Sequence, residues 1–149
     1  MELKQVKQHR EEYMPLLLLA DEEQAVVNRY LHEGDLFELR EEGQVIGVAL
    51  CLLLENETIE IKNIAVDEAF QGRGYGKWII TQLCRHYEDK KRIIVGTANS
   101  SIGNIAFYQK LGFTLYDVKW FFFTQHYTEE IIEDGIIAKH MLMFEQKLA

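Results

Sequence analysis

A single α/β domain with a mostly antiparallel central sheet flanked by helices is the architecture this chain predicts, and three observations carry it. Apolar-rich runs between Leu36 and Val66 follow one another across short turns, as in an antiparallel meander. After Gly74 the apolar residues Ile79, Ile80, Leu83, Cys84 and Tyr87 recur at the spacing of a helix with one buried side. The 149 residues are 48% hydrophobic, hold one proline and contain no linker, repeat or low-complexity tract, which fits one domain spanning 1–149.

Taken in order, Met1 to Val6 reads as an edge strand. Glu11 to Leu31 holds two helical patches separated near Asp21, whose carboxylate suits the N-cap of the second. Leu36 to Arg40, the turn Glu41-Glu42-Gly43 and Gln44 to Glu55 form a hairpin, and a turn around Asn56 leads into the strand Thr58 to Val66. Within that strand the apolar parity changes: Ile59 and Ile61 are odd, Ile64 and Val66 even. A regular strand cannot place both pairs on one face, so a β-bulge is expected near Lys62-Asn63, unless the strand is buried on both faces. Such a bulge splays the sheet and frees backbone N–H and C=O groups for an extended ligand.

Arg92 to Thr97 reads as a buried strand, and Ser101 to Lys110 as a short helix ended by Gly112. Phe113 to Thr124, containing Trp120-Phe-Phe-Phe123, and His140 to Lys147 are expected as two final antiparallel strands joined by a long loop over 125–139. The aromatic run is expected in the core.

The chemistry starts where the strand ending Ile64-Ala65-Val66 meets Gln71-Gly72-Arg73-Gly74-Tyr75-Gly76-Lys77. Glycines at alternate positions let backbone N–H groups converge on an anion at the positive end of a helix dipole, and the expected ligand is a diphosphate. A dinucleotide fingerprint would need glycine where Lys77 stands. A P-loop would need glycine at Gln71 and Ser or Thr at Trp78. What remains, Gln71-x-x-Gly74-x-Gly76 after an apolar strand, resembles the acetyl-CoA loop of the Gcn5-related N-acetyltransferase family. The run from Asn99 to Phe113, ending Tyr108-Gln-Lys110-Leu-Gly112-Phe113, is similar to that family's next motif, and the two stand in the family's order.

The resemblance covers nearly the whole chain and implies transfer of an acetyl group from acetyl-CoA directly to a primary amine, without a metal. It implies that Gln71 to Lys77 hold the pyrophosphate mainly through main-chain amides, with Arg73 or Lys77 adding charge. A backbone N–H within Ile64, Ala65 and Val66 would meet the oxyanion, and Asn99 or Asn104 the pantetheine. Many members have Asn at the position of Ser101 and Ala at that of Asn104, where this chain departs from the pattern. Tyr108 matches the family tyrosine near the thioester sulfur, and a phenol is a sensible acid toward a thiolate because their ordinary pKa values differ by only ~1.5. Glu60, eleven residues before Gln71, stands where several members carry a general-base glutamate; pairing with Lys62 or a neighbouring strand charge is the other reading.

A formal charge of −8 and a pI near 5.1 weigh against nucleic acid as a partner and favour a small cationic amine as acceptor. The acceptor pocket is expected from residues 11–35 and 125–139. The apolar run Leu16 to Leu19 is too short for a signal peptide, no membrane partner is expected, and a cytoplasmic location is. Cys51 and Cys84 read as reduced core residues, and the five histidines lack ligand spacing. Two other readings share the cradle: a non-catalytic acyl-CoA-binding module, and an acetyltransferase acting on protein N-termini or lysines. A protein-interaction role through the aromatic strand or C-terminal loop is a further one. A homodimer through an edge strand is compatible with all of them.

Overall fold

The computed structural model of the protein describes residues 1–148. The elements, in chain order, are β1 (Glu2–Val6), α1 (Met14–Ala20), α2 (Gln24–Tyr30), β2 (Asp35–Glu41), β3 (Gln44–Leu54), β4 (Thr58–Val66), α3 (Tyr75–His86), β5 (Arg92–Ala98), α4 (Ile102–Lys110), β6 (Thr114–Lys119), α5 (Phe122–His126), β7 (Ile132–Glu133), β8 (Ile136–Ile137) and β9 (Met141–Lys147). Seven strands form one sheet in the order β1-β2-β3-β4-β5-β9-β6. Every neighbouring pair is antiparallel except β4 and β5, which run parallel because α3 carries the chain back across one face.

The hairpin β2–β3 turns at Glu42 and Gly43, both at positive φ (51° and 78°), a backbone whose twist matches the flanking strands. Along β4 the expected bulge is present: Leu50 faces Asn63 while Cys51 faces Ile61, so Lys62 is the extra residue. With that one insertion, Ile59, Ile61, Ile64 and Val66 all pack on the same face as Ile79, Ile80 and Leu83 of α3. Asn63 and Ala65 turn to the opposite face, where α1 and α2 build a second core from Leu17, Val27 and Leu31 against Leu36, Val48 and Leu50. The sheet is thus sandwiched between two helical layers.

β4 and β5 pair only from Thr58–Arg92 to Ile61–Val95. Beyond the bulge the two strands diverge: Ile64 to Val66 pair only with β3, and Gly96 to Ala98 only with β9. This opening in the middle of the sheet positions the site.

Two expectations are corrected. The aromatic run is not a strand and only its end reaches a core: β6 stops at Lys119, Trp120 is 66% and Phe121 52% exposed, Phe122 starts α5, and the half-buried Phe123 packs against the small cluster of Ala98, Ile131 and Ala138. The physical reason lies in β9, the sole partner of β6, whose pairing begins at Lys119–Met141; past that pair no strand remains to continue the ladder. Phe121 instead adopts φ 57°, and its N–H donates to His140 Nδ1 at 2.9 Å. Asp21 is not the cap of α2, since Glu23 occupies that position with no side-chain bond to the helix, and Asp21 accepts from two tyrosines. The loop over 125–139 also carries a small hairpin, β7–β8, turned by Asp134 and Gly135 at positive φ.

Candidate active site

Gly72 and Gly74 sit at φ 77° and 86° with open space where a Cβ would be, so backbone conformation alone demands glycine there. At Gly76 a Cβ would meet only the Phe107 ring of α4, at 3.4 Å, an ordinary contact, so neither space nor φ demands glycine there. None of the amide groups from Gly72 to Lys77 donates to an acceptor among the described residues, and the first α3 backbone bond runs from Trp78 N–H to Gly74. These free donors at the start of a twelve-residue helix make an anion cradle. Gln71 donates to the Val66 carbonyl at 2.9 Å and ties the loop to β4. Tyr75 donates to Glu41 and fixes it to the β2–β3 hairpin. The Arg73 guanidinium lies 5.3 Å from the Phe70 ring centre, and neither Arg73 nor Lys77 forms an ion pair among the described residues. Both charges are therefore available to phosphate.

From the cradle the opening between β4 and β5 leads to a cavity of about 200 Å³. Its walls combine the bulge (Ile61 to Ile64), the end of β5 (Val95 to Ala98), Tyr108 and Asn104 of α4, and the segments around Asp21 and Tyr127. Tyr108 is 5% exposed, its ring packed against Phe113 and Phe144 at 5.7 and 6.3 Å. Burial pushes its phenol above the ordinary value, so it stays protonated through neutral pH. Its hydroxyl makes no hydrogen bond among the described residues, which leaves the proton free for a ligand.

The two candidate asparagines separate. Asn104 lines the cavity and donates to Thr97 Oγ1 at 3.4 Å. Asn99 is occupied elsewhere: its Oδ1 accepts from the Lys139 and His140 amides, and its Nδ2 donates to Ile137 O, pinning the end of β5 to the approach to β9. Ile64 lines the cavity, and Ile64, Ala65 and Val66 have no strand partner on the side facing β5. Glu60 is not part of the cavity wall. It faces Leu52 and Ile94 in the half of β4 where the sheet is still closed, one residue short of the opening, and it makes no ion pair with Lys62.

The other side of the cavity is acidic and aromatic. Asp21, Glu22 and Glu133 contribute carboxylates, and Phe122, Phe123 and Tyr127 contribute rings. The counter-charge is Lys62, whose Nζ lies over Tyr30 (5.6 Å) and Phe122 (5.9 Å). Asp21 Oδ2 accepts from Tyr30 at 2.9 Å and Oδ1 from Tyr127 at 2.5 Å; Tyr30 in turn accepts from Asn63 Nδ2 at 2.9 Å. Ser101 donates to Glu133 at 2.8 Å, so the residue that departs from the commonest motif pattern orients a carboxylate of the cavity wall. Sequence reading missed Asp21, Tyr30, Asn63 and Tyr127 as a group, because Tyr127 lies 106 residues from Asp21 and nothing local links them. No cluster of His, Cys, Asp and Glu able to hold a metal occurs among the described residues.

Comparison with known proteins gives a consistent result. The model of the acetyltransferase (GNAT) family matches residues 3–113. An N-acetyltransferase of Bacillus subtilis strain 168, YvbK, itself uncharacterized, is 36% identical over 134 residues, covering 89% of this chain and 86% of that protein. A solved structure described as an IAA acetyltransferase from Bacillus cereus ATCC 14579 superposes with a TM-score of 0.91 at 34% identity over 98% of both chains. A GNAT family acetyltransferase from Elizabethkingia anophelis with acetyl-CoA bound superposes at 0.93 with 32% identity, covering 98% of this chain and 97% of that one.

Proposed function

Since this chain belongs to the GNAT family and is an acetyl-CoA-dependent N-acetyltransferase, we propose that its acceptor is the primary amine of a small, positively charged molecule. The observation that carries this reading is the cavity itself, which sets Asp21, Glu22 and Glu133 against the single lysine Lys62 beside the buried phenol of Tyr108. Carboxylates on aromatic walls attract and seat cations, and they repel an anionic acceptor.

In this reading the diphosphate lies on the amides of Gly72 to Lys77, with Arg73 and Lys77 adding charge, and the pantetheine arm runs along the opening between β4 and β5 past Asn104. The amine nitrogen attacks the thioester carbonyl carbon, and a backbone N–H of Ile64 to Val66 stabilises the oxyanion. The C–N bond forms as the C–S bond breaks. The departing thiolate takes the Tyr108 proton, and the proton lost by the amine passes through water toward Glu60, which is one residue away from the cavity wall. The apolar surroundings that raise the phenol also disfavour a free thiolate, so proton donation remains favourable despite the raised value.

The test is a calorimetric titration with acetyl-CoA, then thiol release with amines graded from anionic to dicationic. Binding, and release that rises with acceptor positive charge, is the expected result. A preference for neutral or anionic amines would overturn the cationic acceptor.

A further inference from the structure

Among the carboxylates of the cavity, Asp21 is the one whose placement is specified from three parts of the chain. It sits in the connection between α1 and α2, accepts the Tyr30 hydroxyl from the end of α2, and accepts the Tyr127 hydroxyl from the segment after α5. Both phenols are pushed above their ordinary value, by burial first and also by contact with Asp21. They therefore remain neutral donors to the Asp21 carboxylate. No lysine, arginine or histidine pairs with it among the described residues, and Lys62 is stacked on rings instead.

A second observation points to a ligand at this place. Asn63, only 3% exposed, lines the same cavity. Its Nδ2 donates both to Leu17 O and to the Tyr30 hydroxyl, each at 2.9 Å, which fixes the amide's orientation. Its Oδ1 is left buried without a partner among the described residues. A buried acceptor two successive hydrogen bonds from an unpaired carboxylate calls for a group rich in donors and carrying positive charge, and an ammonium has three donors and no acceptor.

We propose that Asp21, with Asn63 beside it, seats a second cationic nitrogen of the acceptor, so that the substrates are diamines or amines carrying a separate charged nitrogen. The proposal rests on the acceptor reading above and narrows it. The nitrogen that attacks the thioester must first lose its proton, whereas a fixed carboxylate favours the protonated form of whatever amine it holds. The nitrogen at Asp21 is therefore the one that is not acetylated. Asp21 acts here as a specificity-determining residue, with no part in the bond changes.

The experiment compares 1,4-diaminobutane with 1-aminobutane as acceptors for the wild type and for Asp21→Asn. The wild type is expected to favour the diamine about ten- to hundredfold in kcat/KM, mostly through KM, and Asp21→Asn to lose that preference while acetyl-CoA affinity is unchanged. A wild type that acetylates both amines equally, or an Asp21→Asn protein that keeps the preference or loses kcat equally on both, would sink the proposal and leave the transferase reading standing. No thiol release with any amine would instead strike the acceptor reading beneath it. Should Asp21→Asn fail to fold, guanidinium below denaturing concentration, a cation with N–H donors that is not itself acetylated, gives the wild-type measurement: competition against the diamine supports the seat, and its absence overturns it.

Discussion

In the proposed mechanism Tyr108 concentrates the chemistry in one hydroxyl. Its ring is held by Phe113 and Phe144, so Tyr108→Phe removes the proton donor while keeping the packing. The expected outcome is a kcat lowered about 10²-fold with acetyl-CoA affinity and thermal midpoint close to wild type, measured by steady-state kinetics and calorimetry. An unchanged kcat would mean that the phenol only packs. The place of Tyr108 at the cavity was legible in the sequence because a motif surrounds it. Asp21 was legible as a helix cap and as one of the acidic residues Asp21-Glu22-Glu23 that hint at a cationic acceptor, but its tyrosine partners were not, since they lie 9 and 106 residues away and meet it solely through the tertiary fold. Glu60 illustrates the converse: its spacing to Gln71 matches a pattern, yet the register of β4 leaves it just before the point where the sheet opens.

At the level of the element, the glycine turn and α3 act as one device whose donors belong to the main chain. Gly74→Ala forces a side chain into φ 86° at a cost of about 1–2 kcal/mol and distorts the cradle, so acetyl-CoA affinity is expected to fall about tenfold. Arg73→Ala removes an exposed charge and is expected to weaken binding by less than about threefold at physiological salt. Titration calorimetry on both variants decides the matter, and a larger effect from Arg73→Ala would transfer the role to its side chain. The bulge in β4 was readable from the parity of four apolar residues, because side-chain period in a strand leaves no other way to bury them together. The end of β6 was not readable, because it depends on where β9 starts, twenty-two residues further on. The hairpin β7–β8 had a local signal, Asp134-Gly135, hidden in what looked like a loop.

For the molecule as a whole, buried phenols couple stability to alkaline pH. Tyr30, Tyr87 and Tyr108 are 3%, 4% and 5% exposed, and burial is the first cause that pushes each above the ordinary value. A group raised on folding contributes stability that is complete below the unfolded value of about 10 and is lost as pH climbs past it, because the unfolded chain then releases protons that the folded chain keeps. Urea midpoints are expected to be level from pH 7 to about 8, to begin falling above about 8.5 as the unfolded chain ionises the Cys51 and Cys84 thiols that burial also raises, and to fall more steeply above about 10, each phenol costing up to about 1.4 kcal/mol per pH unit in that range. A midpoint still level at pH 11 would contradict the burial.

The early end of the β4–β5 ladder leaves two strand edges facing each other inside the molecule, where most sheets have none. Unpaired edges elsewhere recruit further strands, including those of other chains. Here they lie inside the sheet between two helical layers, and in the proposed mechanism the partner they take is the slender pantetheine chain. In that mechanism the cosubstrate therefore fills the gap in the sheet as well as feeding the reaction.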